Sequence, residues 1–177
     1  MKTILSIALT ACVLFGCNNP TTPLTPQEKT FAGKYYAIKS DTLGIKNIYG
    51  TIESYTDYQT DRNAYSSATL RIMFSFEKAK NIILEYELEY NSDWKIRNDT
   101  LFESLNPNSY KMSLKSTNRQ GVVAKKLMEE LEPLAEMFNA KFKETLLKHD
   151  ATKIVEITPE KAIIEMDGVN ETIKKVK

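Results

Sequence analysis

Two runs of alternating residues constrain this chain more than any other feature. Leu70, Ile72, Phe74 and Phe76 alternate with Arg71, Met73, Ser75 and Glu77. After Lys78-Ala79-Lys80-Asn81, the residues Ile82, Leu84, Tyr86, Leu88 and Tyr90 alternate with Ile83, Glu85, Glu87 and Glu89. Successive strand side chains point to opposite faces, so a period of two sends one set inward and leaves the other in water. Two such runs joined by a short polar connection read as a long antiparallel hairpin. A sheet with one wet face must bury the other, so the rest of the chain has to supply a covering layer or close the sheet on itself.

The flanking sequence extends the same pattern. Ile48 to Tyr58 is a candidate strand rich in Ile, Thr and Tyr, and Asp61-Arg62-Asn63 a loop. Asn91-Ser92-Asp93 reads as a turn, with shorter strands from Trp94 to Leu101 and from Tyr110 to Lys115. The period then changes. Val123, Leu127, Leu131, Leu134, Phe138, Phe142 and Leu146 recur every three or four residues, which predicts an amphipathic helix over about 122–148. Pro133 inside it removes an amide donor and is expected to kink it. The tail returns to strands: Ile154 to Ile157, a turn at Thr158–Lys161, Ala162 to Met166, Asp167-Gly168, and Val169 to Val176. Asp-Gly between apolar runs is a hairpin signal, because both residues tolerate positive φ. The expected fold is mainly β with one long helix. It is an antiparallel meander, closed as a barrel or strongly curved, packed on a helix in the C-terminal half, in a single domain over 31–177.

The N-terminus has a different character. Lys2 precedes an apolar run from Ile4 to Phe15, then Gly16, Cys17 and the polar Asn18-Asn19-Pro20. The run has the length of a signal-peptide core and is too short for a spanning helix. With Leu14 at −3, Gly16 at −1 and Cys17 at +1, the segment resembles a bacterial lipoprotein precursor. A second box, Leu9-Thr10-Ala11-Cys12, sits too early to leave an apolar core before it. The resemblance implies a signal peptide over 1–16 and a diacylglyceryl thioether on Cys17. Cleavage before Cys17 then frees an amine for acylation, for example by palmitate. Two or more acyl chains hold a protein stably on a membrane, whereas one does so only marginally. The expected location is the bacterial cell envelope. Asn18 stands where the enterobacterial sorting rule places Asp for inner-membrane retention, which points to the outer membrane facing the periplasm. Residues 17–30, with Pro20, Pro23 and Pro26, read as an extended tether.

The domain itself, from the opening Phe31-x-Gly33-x-Tyr35 through the up-and-down strand order to the late helix, resembles the lipocalin-like (calycin) group. That resemblance implies a barrel.

Several function classes find no support in the residues. The chain carries 24 Lys and Arg against 23 Asp and Glu, and removing Lys2 with the leader balances them. No basic footprint for nucleic acid exists. Cys12 leaves with the leader and Cys17 carries lipid, so no disulfide or thiolate metal site is expected. His149, the only histidine, falls in the last turn of the predicted helix, where a cation suits the helix dipole. No metal site, cofactor or catalytic residue is assigned: nucleophile elbow, phosphate-binding loop and dinucleotide fingerprint are all missing. Glu85, Glu87 and Glu89, and the group Glu129, Glu130, Glu132 and Glu136, read as solvated faces.

The aromatics are the informative set. All 9 tyrosines lie between Tyr35 and Tyr110. Tyr35, Tyr55, Phe74, Phe76, Tyr86, Tyr90 and Trp94 are the candidate lining of a pocket for a small apolar ligand, with hydroxyls as its few polar groups; the other reading is a filled core. The expected role is therefore a non-enzymatic envelope lipoprotein that binds a small apolar ligand or senses envelope state. The alternative is an interaction module that binds another envelope protein through its Tyr-rich surface.

Overall fold

A computed structural model of the chain describes residues 23–42, 47–75, 81–118, 120–148, 151–166 and 168–177. Residues 1–22, Cys17 among them, and Phe76, His149, Asp150 and Asp167 lie outside the described residues. The elements run α1 (Pro26–Phe31), β1 (Gly33–Thr42), β2 (Ile48–Tyr58), β3 (Asn63–Phe74), β4 (Ile82–Arg97), β5 (Thr100–Leu105), β6 (Lys111–Thr117), α2 (Gly121–Lys148), β7 (Ala151–Ile157), β8 (Lys161–Met166) and β9 (Val169–Val176).

The sheet closes. Hydrogen-bonded neighbours follow the order β3-β2-β1-β9-β8-β7-β5-β4, and β4 returns to β3. Every pairing is antiparallel. Eight strands thus form an up-and-down barrel, an architecture compatible with a lipocalin-like fold. Closure removes the free edges that an open sheet would expose. β6 stands outside the ring. It pairs with β4 at Leu84–Glu89, below the stretch of β4 that holds β5. β5 and β6 therefore lie end to end along one edge of β4, interrupted by a loop whose Asn106 N–H donates to the Asn91 carbonyl at 2.9 Å.

The predicted hairpin is the β3–β4 pair, joined from Asn63↔Asp93 to Phe74↔Ile82. Two local expectations are corrected. Asn91-Ser92-Asp93 is no turn: β4 runs through it, because Ser92 is buried while its neighbours stay exposed, keeping the period of two. Residues 26–30 are not extended tether either. They open α1, with Pro26 in the first turn, where its missing N–H is unneeded.

The chain reverses between β4 and β5 at Asn98 and Asp99, with φ of 49° and 55°. This is the two-residue turn that right-twisted hairpins favour.

The interior divides in two. The upper core gathers Phe31, Tyr35, Tyr58, Trp94, Ile96, Leu101, Ile154, Ala162, Ile164 and Ile173 inside the barrel. The lower core holds Leu70, Ile72, Phe74, Leu84 and Tyr86 on the extended part of the sheet, covered by Phe138, Leu131 and Phe142 of α2. The amphipathic helix is thus the cover that the lower sheet face requires. It continues through Pro133 as one element. Among the described residues no helix is long and apolar enough to cross a membrane.

Candidate functional site

The barrel's upper end is sealed by α1. Thr25 caps that helix: the Glu28 N–H donates to Thr25 Oγ1 at 3.1 Å, and the Thr25 N–H donates to Glu28 Oε2 at 2.8 Å. This reciprocal box satisfies two orphan amides of the first turn. Phe31, at the helix end, is fully buried. Its ring lies 5.0 Å from Tyr35, 4.8 Å from Tyr58 and 5.8 Å from Trp94. The Tyr35 hydroxyl donates to the Phe31 carbonyl at 2.7 Å, and the Trp94 indole N–H donates to the carbonyls of Gln59 and Asn63, each at 3.1 Å. Burial pushes the Tyr35 hydroxyl pKa up to about 12.

Glu28 locks this plug to the wall. It is 1% exposed. It accepts from Arg62 Nη2 at 2.9 Å, from Arg62 Nε at 3.2 Å and from the Ile96 N–H at 3.2 Å. Burial alone would raise its pKa. The hydrogen bonds from Arg62, Thr25 and Ile96, with the Arg62 charge, outweigh burial and lower it to about 2.

Below the aromatic plug the wall changes. Ala37, Ser54 and Ala68 are paired across β1, β2 and β3, and directly paired residues share a face. Ala68 is buried, so that face is the inner one. By the same alternation Thr56, Ser66, Tyr90, Ser92 and Glu103 also point inward. The barrel waist is therefore lined by small or polar side chains. Ala37, Ser54, Thr56, Tyr90 and Glu103 are only half-buried.

The register shows where the wall parts. β1 and β9 are paired only from Lys34↔Val176 to Tyr36↔Lys174. Below that point an ion pair, Lys39 Nζ to Glu171 Oε1 at 2.5 Å, spans the two strands. β5 and β7 likewise share only three register pairs, Thr100↔Lys153 to Phe102↔Ala151.

Glu103 is the charged group of the waist. Ser92 Oγ donates to its Oε1 at 3.4 Å, and the Tyr58 hydroxyl bonds to it as well. Burial raises its pKa, and those two bonds only partly offset the shift. Tyr58 is pushed well above the usual tyrosine value by burial and then by the nearby Glu103 charge. Tyr90 is raised to about 12 by burial first and Glu103 second, while its bond with Ser66 works the other way. Ser66 Oγ in turn lies 3.0 Å from Thr56 Oγ1.

The residues singled out from sequence fall into separate places. Tyr35 and Trp94 stand together in the upper plug. Tyr90 is at the waist beside Glu103. Phe74 and Tyr86 belong to the lower core beneath α2. Tyr55 is 45% exposed on the outer surface, its ring 5.1 Å from that of Tyr36. Phe76 and Cys17 lie outside the described residues. The acidic row on β4 is laced to its neighbours: Arg71 Nε to Glu85 at 2.8 Å, Lys115 to Glu87, and the Tyr65 hydroxyl to Glu89 at 2.9 Å.

Tyr58 and Glu103 were missed. Glu103 had a signal, since it stands on the apolar parity of Leu101-x-Glu103-x-Leu105.

Two open clefts are formed by the described residues, and neither is lined by Ala37, Ser54, Ala68 or Glu103. One of about 450 Å³ runs between Tyr110 and Met112 on one side and Glu136, Asn139 and Lys143 of α2 on the other. The second, about 490 Å³, is lined by Gln59, Asn63, Tyr65, Asn91, Asp93 and Asn106, among others. Among the described residues no group of His, Cys, Asp and Glu is placed to hold a metal ion. Compared with known proteins, the chain matches no family model, and no curated protein is significantly similar to it.

Proposed function

We propose that the chain is a non-enzymatic envelope lipoprotein, anchored through lipid on Cys17, whose barrel takes up a small, largely apolar ligand at the waist. The carrying observation is the contrast inside the barrel. Four interlocked rings fill the upper end, whereas the waist below is walled by the small side chains of Ala37, Ser54 and Ala68, the first two only half-buried. A pocket with apolar walls and a few convergent polar groups is the usual form of a small-ligand site. Entry between β1 and β9 avoids any opening of the plug. Anchorage rests on the lipoprotein-like leader, and the outer membrane facing the periplasm is the location that Asn18 favours.

The test is displacement of a lipophilic dye from the full chain by fatty acids and lysolipids. Displacement is expected, and Ser54→Phe, which fills the waist, abolishes it without lowering the melting temperature by more than a few degrees. No dye uptake, or uptake indifferent to both Ser54→Phe and Ala37→Leu, overturns the reading. Mass spectrometry of the N-terminus tests the anchor separately. A mature chain starting at acylated Cys17 is expected, and an unmodified Cys17 refutes it.

A second reading, a protein-binding module, is favoured by the outer face of β1 and β2. There the tilted rings of Tyr36 and Tyr55 pack together beside Ile38, which is 59% exposed. Tyr is enriched at interfaces. Cross-linking from position 38 that captures one envelope protein in stoichiometric amount would support it; capture no greater than from a position on α2 would not.

A further inference from the structure

Glu103 is an expensive residue to place inside a barrel. A carboxylate taken from water loses several kcal/mol of solvation unless a cation and good hydrogen bonds restore it. The two hydroxyls that reach Glu103, those of Tyr58 and Ser92, are neutral. Among the described residues no ion pair joins a lysine or arginine to it. Glu28, the other deep carboxylate, has its own arginine. The contrast marks Glu103 as a group whose counter-charge is not supplied by the fold.

The surroundings favour a particular counter-charge. Glu103 pairs in register with Trp94, so the two side chains leave the wall side by side. Tyr58 sits against Trp94 with ring centroids 5.5 Å apart in an edge-on arrangement, and Tyr90 lies close enough to sense the Glu103 charge. Aromatic faces attract cations through their quadrupole, most strongly where water is scarce. A half-buried carboxylate flanked by tryptophan and tyrosine has the chemistry to receive a small protonated amine.

We infer that Glu103, with Trp94, Tyr58 and Tyr90, forms an ammonium site at the barrel waist, so that the ligand is a small amphiphile with a protonated amine and an apolar body. The inference rests on the waist being the ligand site. The amine donates to Glu103 from the waist side, beneath the buried rings of Trp94 and Tyr58. The apolar body lies along the inner face that carries Ala37 and Ala68. Hydrogen bonds to an ionised partner are worth about 1.5–3 kcal/mol, roughly tenfold or more in affinity.

Trp94 is the only tryptophan, so its emission reports on this site alone. The experiment titrates the purified full chain with benzylamine, benzyl alcohol and benzoate, which share a ring and differ in one group. Benzylamine is expected to bind at least about tenfold more tightly than benzyl alcohol, with benzoate weakest. Glu103→Gln should bring benzylamine to the level of benzyl alcohol and leave the alcohol unchanged. Tyr58→Phe, which keeps the charge and the ring, should retain the amine preference. Benzyl alcohol or benzoate binding as well as benzylamine overturns the ammonium site and leaves the waist reading standing. No emission change with any of the three overturns both. The wild-type ranking decides the matter independently of the variants.

Discussion

Replacing Glu28 by glutamine removes one charge from the plug, and its consequence follows from the geometry. In the native barrel the carboxylate takes four bonds: two from Arg62, one from the Thr25 amide and one from the Ile96 amide. Its pKa falls from an ordinary 4.5 to about 2. A group depressed in the folded state adds stability that is complete above its unfolded value and disappears as pH falls through its folded value. At about 1.4 kcal/mol per pH unit, Glu28 contributes about 3 kcal/mol at neutral pH, and this contribution is lost between about pH 5 and pH 2. Glutamine keeps one acceptor but turns an amide group toward donors. Arg62 keeps some solvent access, so the loss sits at the low end of the range for a broken buried pair, about 3 kcal/mol. For a domain of this size that lowers the melting temperature by roughly 6–12 °C. Urea unfolding at pH 7, repeated down to pH 2, is the assay. The wild type should lose stability steeply below pH 5, and Glu28→Gln should be weaker at pH 7 with a shallower acid slope. A variant within about 1 kcal/mol of wild type at pH 7, or one with an unchanged acid slope, would refute the assignment of Glu28 as the clasp of the plug.

Three further outcomes follow from the same structure. Glu103 titrates above the usual glutamate range, so it costs stability as pH rises through its folded value; Glu103→Gln should remove that falling slope and raise the urea midpoint at pH 7. Gly33 has φ of 134°, and a Cβ there would lie 2.5 Å from Lys175 Cε. Gly33→Ala should cost about 1–3 kcal/mol in thermal unfolding through backbone strain, together with displacement of the Lys175 ammonium from its 2.9 Å bond to the Thr30 carbonyl. Phe31→Ala empties the centre of the aromatic cluster and should cost about 3–5 kcal/mol. It should also expose the bond between α1 and β1 to limited proteolysis, read as a faster cut near residue 32.

Much of the fold was legible because the alternation was strict where the sheet has one apolar face. β3 and β4 carry Leu70, Ile72, Phe74 and Leu84, Tyr86, Leu88 on one parity, and the structure buries that parity. The α2 spacing was equally clear, since a covering helix needs a single apolar stripe. Where the inner face turned polar, the pattern misled. Ser92 on the inner parity looked like part of a turn, yet it faces the waist, where polarity is tolerated. The prolines before Phe31 suggested an extended spacer, although Thr25-x-x-Glu28 already carried the capping box of a helix start. The Glu28–Arg62 clasp had no local signal, because its partners are 34 residues apart and meet only when the barrel closes. Tyr55 was assigned inward because β2 carries aromatics on both parities: Tyr58 goes in, Tyr49 and Tyr55 stay out. Composition cannot separate them, and only the register with β1 and β3 does.

The most direct test of the central claim is native mass spectrometry of the full chain purified from the cells that make it, with no ligand added. A small molecule should accompany the wild-type protein, carry a protonatable amine, and be lost from Ser54→Phe. Bare wild-type protein, or a bound molecule retained in Ser54→Phe, would contradict the proposal that the barrel waist is a ligand site.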